Sequence, residues 1–144
     1  MAITTPLQSP EIQAFATGFP VTLLHFAVTL AILIAGAAAY IMLTPHKEIT
    51  LIRQGNAAAA VSLSGVLVGL AIPLAVSLKA STTLIELSLW GAATVLVQLL
   101  IFRLVDLVLH GLPKRIQDDE MAAAAMLVGA KLATALILAA AVSG

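Results

Sequence analysis

The sequence predicts an all-α integral membrane protein: four transmembrane helices arranged as two parallel two-helix repeats, with a short N-terminal interfacial helix. Three observations carry this expectation. The 144-residue chain is 61% hydrophobic and only 10% charged, with a mean hydropathy of +1.11. A water-soluble domain of this size exposes a large part of its surface, which seven basic and seven acidic side chains cannot cover. Four apolar runs are each long enough, at about 20 residues, to cross a hydrocarbon core of ~30 Å. A segment of the first half also recurs in the second at a fixed offset. Helix is the required secondary structure, because the runs lack the alternation of apolar and polar residues that barrel strands show. The formal charge is zero and there are no cysteines. No polybasic signal therefore points to nucleic acid, and disulfides, zinc-thiolate sites and thiol nucleophiles are excluded.

Residues 1–20 lack the basic n-region and cleavage site of a signal peptide, so the first apolar run is expected to remain in the mature protein. Ser9, Pro10 and Glu11 read as an N-cap, a proline at the first helical position and an acid in the first turn. Ile12, Phe15, Ala16 and Phe19 follow at helical spacing, which predicts a short amphipathic helix on the membrane surface; an unstructured tail is the alternative. The first span covers 21–43 and stops before Thr44-Pro45, since proline disfavours helix at the preceding residue. The second, 57–78, carries no charge. The third, 84–107, holds Glu86, Arg103 and Asp106 towards its ends. The fourth, 121–143, is alanine-rich with one charge, Lys131. The expected organisation is a tail (1–20), a first helical hairpin (21–80) and a second (81–144).

Basic residues set orientation. Lys47 and Arg53 lie in the 44–56 loop, and Arg103, Lys114 and Arg115 in or beside the 108–120 loop, whereas the opposite side has only Lys79. Both long loops are expected in the cytoplasm and both termini in the periplasm. The offset of 64 residues superposes Asn56-Ala57-Ala58-Ala59-Ala60 on Glu120-Met121-Ala122-Ala123-Ala124, and also Gly65 on Gly129, His46 on His110 and Ile52 on Ile116. Two spans per unit leave both units in the same orientation, hence parallel repeats about an axis along the membrane normal.

Thr44-Pro45-His46-Lys47-Glu48, then Leu51-Ile52-Arg53-Gln54-Gly55-Asn56-Ala57-Ala58-Ala59, Ser64-Gly65-Val66-Leu67-Val68-Gly69 and Ile72-Pro73-Leu74 form a run that resembles the YjfL-like bacterial inner-membrane proteins, domain-of-unknown-function family 350. The likeness extends from about residue 21 over nearly the whole chain, with a weaker second copy around Arg115-Ile116 and from Glu120 to Gly129. It implies a four-helix inner-membrane protein of duplicated origin. It brings no reaction with it.

Gly65 and Gly69 form a GxxxG pair on the second span, echoed by Gly129 and Ala133 on the fourth; both read as packing seams, with room for a substrate or hinge as the alternative. Pro73 is expected to kink the second span. On the third span Glu86, Trp90, Thr94 and Gln98 recur every four residues, which predicts an inward polar stripe, and Lys131 and Thr134 share a face of the fourth. At ~1.5 Å per residue Gln98 and Lys131 both lie about 14–15 Å from the loop-side boundary, and Thr94 and Thr134 about 19–20 Å. Matched polar groups are thus expected to meet between these helices, with Glu86 too far away to pair with Lys131. An intramembrane cation is a functional candidate by default; deprotonation or a bond to Gln98 is the plainer account. Arg103 and Asp106 read as a local ion pair or as groups reaching the head groups. His46 and His110, with Glu48 and Asp106 near them in sequence, give only a weak metal signal.

With no nucleophile elbow, phosphate loop or paired catalytic carboxylates, no enzyme activity and no cofactor are expected. Asp118-Asp119-Glu120 suits the positive end of the helix it opens. The leading expectation is a structural or partner-binding subunit of the bacterial inner membrane, a homo-oligomer docking partners through loops 44–56 and 108–120. The alternative is a channel or transporter for an ion or small solute, with Lys131, Gln98, Thr94, Thr134 and Glu86 along a path between the third and fourth spans.

Overall fold

The computed structural model describes residues 5–44 and 47–144. All its elements are helical: a 3-10 turn at Pro6–Gln8, then α1 (Pro10–Leu43), α2 (Glu48–Arg53), α3 (Ala57–Ala80), α4 (Leu84–Val108), α5 (Leu112–Ile116) and α6 (Met121–Ser143). The helices α1, α3, α4 and α6 are each long and apolar enough to cross a membrane. The short helices α2 and α5 belong to the loop end, where α1 and α4 finish and α3 and α6 begin; the start of α1, the end of α6 and the 81–83 turn lie at the other.

Ser9 caps α1 by accepting from the Ile12 N–H at 3.4 Å, with Pro10 in the first turn and Glu11 beside it, as the sequence indicates. The short interfacial helix expected over the following residues is not a separate element, however. Pro20 sits inside one continuous helix of 34 residues, about 51 Å long at ~1.5 Å per residue, against a hydrocarbon core of ~30 Å. A proline removes one backbone donor but does not oblige a helix to end. The first turns of α1 extend past the bundle, and residues 10–24 are all exposed.

The centre of the molecule is the pair α3 and α6, the most extensive helix contact. On α3 the buried residues Ala58, Ala59, Ser62, Gly65, Val66, Gly69, Leu70, Pro73, Leu74 and Ser77 recur at helical spacing along one face. On α6 the buried face is Ala123, Ala124, Leu127, Lys131, Ala135 and Ala139. Small side chains on both let the backbones approach, which is how helices pack where no water drives them together. Gly65 shows how close they come: a Cβ there would stand 2.5 Å from Val128 Cγ2. One at Gly69 would stand 2.7 Å from Phe102 Cζ on α4. The echo does not close a second seam within the chain. Gly129 and Ala133 are exposed on the outer face of α6, and nothing lies within 4 Å of a Cβ built on Gly129.

Around this pair, α4 packs against α3, α6 and α1, and α1 packs against α3 and α4. Tyr40, Val66, Leu70, Leu74, Val95, Leu99 and Phe102 make one core cluster, and Ala58, Ala59, Ile116, Ala123, Ala124 and Leu127 a second at the loop end. There the two loops interlock. Asn56 caps α3 by accepting from the Ala59 N–H at 2.8 Å while its amide donates to the Ile116 carbonyl at 2.8 Å. Asp119 of the other loop accepts from the Ala58 N–H at 2.9 Å. Gly55, at φ +90°, and Asp119, at φ +57°, both turn through the left-handed region. After each, the amide of the residue that starts the next helix donates back across the turn, Asn56 to the Leu51 carbonyl and Glu120 to that of Arg115.

Candidate functional site

Side chains on a helix lean towards its N-terminus. The helix α4 ends at the loop end and α6 begins there, so the two run antiparallel. Asp106, in the last turn of α4, therefore leans into the bundle, and Lys131, midway along α6, leans towards the loop end. Their heads meet: Lys131 Nζ lies 2.9 Å from Asp106 Oδ1, with the two side chains only 1% and 7% exposed. The same ammonium donates to the Tyr40 hydroxyl at 2.6 Å, and that hydroxyl donates to Asp106 Oδ2 at 3.3 Å. Both carboxylate oxygens are thus engaged. Lys131 Nζ also stands 4.7 Å from the Tyr40 ring centre and 5.6 Å from that of Phe102, within the range in which a ring face attracts a cation. The rings meet edge to face at 6.2 Å. One charge pair is held by α1, α4 and α6, in a place where an unpaired charge would be strongly disfavoured.

Glu48, the first residue of α2, lies within electrostatic reach of this pair. It is only 2% exposed, and its Oε2 has no hydrogen-bond partner. Burial pushes its carboxyl up to about 7, against the downward pull of Lys131 and with a further push from Asp106.

The other polar residues singled out in the sequence fall differently. Gln98 is buried and donates to Thr134 Oγ1 at 3.3 Å, not to Lys131, and its Oε1 is without a partner. Thr134 donates to the Lys131 carbonyl at 2.8 Å. Thr94 is buried but satisfied within its own helix by the Gly91 carbonyl at 3.0 Å. Glu86 turns back on the cap of α4, accepting from the Thr82 amide and hydroxyl at 3.0 and 3.1 Å, and Trp90 is exposed. The four-residue stripe does not hold one face because each step of four turns a helix about 40° too far. Its lower half faces protein and its upper half does not. Arg103 makes no ion pair with Asp106, whose oxygens belong to Lys131 and Tyr40.

Tyr40, Glu48 and the inward role of Asp106 escape a reading from depth alone. Side-chain direction would have found Asp106, since an acid in the last turn of one helix and a lysine deeper in its antiparallel neighbour point at each other. His46, and with it a pairing with His110, lies outside the described residues. Among the described residues no three His, Asp or Glu side chains group as a metal site would require.

Four apolar helices around a buried Lys–Asp–Tyr network define a multi-pass helical membrane protein. A family model described as Domain of Unknown Function (DUF350) matches residues 14–142, and the chain belongs to that family. It is 32% identical over 109 residues to the UPF0719 inner membrane protein YjfL of Escherichia coli (strain K12), covering 76% of this chain and 83% of that protein. The protein of the same name from Escherichia coli O157:H7 matches to the same extent. No solved structure matches the chain.

Proposed function

We propose that this protein is a non-enzymatic subunit of the bacterial inner membrane, and that its loop end is a docking surface for a partner, held in shape by the buried charge network. The observation that carries this reading is closure. Lys131, Asp106 and Tyr40 satisfy one another at the loop end. Between there and the opposite end the α1, α3 and α4 interface is filled by Val66, Leu70, Leu74, Val95 and Leu99. A network closed on itself fastens helices; a solute path needs polar groups that continue. The interlocked turns at Asn56 and Asp119 fit the same purpose, since they fix α2 and α5 relative to the spans.

Orientation with both termini in the periplasm rests on the five-to-one distribution of basic residues, and the inner-membrane assignment on the name of the relative. The two-repeat organisation, 21–80 and 81–144, is supported by turns at the same offset of 64: left-handed residues at Gly55 and Asp119, and matching backbone bonds into Asn56 and Glu120. Assembly into a homo-oligomer is supported by the exposure of Gly129 and Ala133 on α6, where a second bundle could approach closely.

The transport reading draws on Gln98 Oε1 and Glu48 Oε2, two buried oxygens without partners. Reconstitution in liposomes separates the two. The subunit reading expects proton and monovalent-ion leak equal to that of empty vesicles. It also expects a photocrosslinker at exposed Ile49 of α2 to give a discrete protein adduct in native membranes, and one at Ile137 of α6 to give none other than this chain. A flux above that of empty vesicles that Gln98→Leu abolishes in a folded protein would replace the subunit reading with the transport one.

A further inference from the structure

Beside the buried network, on its surface side, the end of α4 and the start of α5 border an open cleft of about 390 Å³, within the size range of small-molecule sites. Its polar lining includes Arg103, Asp106, His110 and Lys114, with Thr44 just after the end of α1. The charge balance of this lining is set by the neighbouring network. Asp106 is the one acid among the lining residues, and both its oxygens are taken by Lys131 and Tyr40. Among the described residues the only ion pairs are Lys131 with Asp106 and Arg115 with Glu120. Arg103 and Lys114 therefore face the cleft with no carboxylate of their own, and the His110 ring adds a nitrogen that can donate. A guanidinium fork, a point-charge ammonium and an imidazole together match a phosphate group, which accepts several charge-assisted hydrogen bonds at once.

The rim of the cleft is apolar on one side. Leu107 lines it and is 66% exposed; Leu100 and Leu96, seven and eleven residues earlier on the same face of α4, are 68% and 67% exposed. This ridge leads from the cleft along a membrane-spanning helix, so a ligand whose phosphate sits between Arg103 and Lys114 has a surface for an acyl chain beside it.

We propose that Arg103, His110 and Lys114 form a site for a phosphate ester, and that its source is the headgroup of an anionic phospholipid. The assignment needs only that α4 ends at the membrane surface and does not rest on partner docking.

The test uses the full chain purified in a neutral detergent and titrated with dioctanoyl phosphatidic acid, dioctanoyl phosphatidylcholine or inorganic phosphate, reading melting temperature and native mass spectra. Phosphatidic acid should raise the melting temperature saturably and give a retained one-lipid adduct, whereas phosphatidylcholine should not. Lys114→Gln, on an exposed side chain that leaves folding intact, should weaken that response roughly tenfold, and Arg103→Gln with Lys114→Gln should remove it, while Arg103→Lys keeps part. An equal response to inorganic phosphate would keep the phosphate site but overturn the headgroup as its source. Unchanged phosphatidic acid affinity in a folded Arg103→Gln/Lys114→Gln protein, or no saturable response in the parent, would overturn the site itself.

Discussion

Lys131 and Asp106 test how a buried pair behaves when only one partner is removed. Replacing one leaves the other charged in a low-dielectric interior, which typically costs about 3–5 kcal/mol, whereas replacing both with apolar groups is often neutral. Lys131→Met and Asp106→Leu should each lower the melting temperature sharply in detergent, and the double variant should recover most of the loss. Equal losses that simply add would show that the two side chains do not depend on each other in solution. Glu48 gives a pH prediction with a definite sign. Its carboxyl is raised from 4.5 to about 7 in the fold, so it is neutral in both folded and unfolded chains well below pH 4.5. Between these values the unfolded chain ionises first, and stability falls as pH rises, levelling off above pH 7. The total loss is of the order of 3 kcal/mol. Melts from pH 4 to pH 8 should show this slope in the parent and lose most of it in Glu48→Gln; an identical slope in both would place the titration elsewhere.

Between helices, stability depends on which small residues meet a neighbour. A side chain at Gly65 would run into Val128, and one at Gly69 into Phe102, while Gly129 faces open space. Gly65→Leu and Gly69→Leu should therefore destabilise by roughly 2 kcal/mol or more through overpacking. Gly129→Leu should leave the melt of the single bundle near the parent's. If Gly129→Leu instead dissociates a larger assembly seen by light scattering, the outer face of α6 is the contact between copies. Sequence spacing presented these glycines as equivalent, yet helix rotation about the bundle turned one pair inward and the other outward. The latch at the loop end is a second element-level contact: Asp119→Ala removes the acceptor for the Ala58 N–H and should cost about 1 kcal/mol, read as a lower melting temperature with unchanged helical content.

For the molecule as a whole, the proposed orientation, with the loop end in the cytoplasm, predicts that a reporter active only outside the cytoplasm is active when fused after Gly144. Activity of a cytoplasm-only reporter there would invert every orientation argued above. The two turns share their geometry at one offset, but the charge network does not follow it: Asp106 and Lys131 come from the second half and Tyr40 from the first. Sixty-four residues before Asp106 and Lys131 stand Met42 and Leu67, both apolar.

The sequence by itself determined the four spans and the cap at Ser9, because apolar length, proline and cap chemistry act locally along the chain. It left the partners open. That Lys131 reaches Asp106 and Tyr40 and not Gln98, that Glu48 is buried, and that Thr94 faces protein while Trp90 does not, depend on helix rotation and on the antiparallel lean of side chains. These are set by packing among four helices at once. In a membrane almost every face of a helix is apolar, so the contrast between inside and outside that reveals a soluble core is faint, and only the tertiary structure shows which polar groups meet.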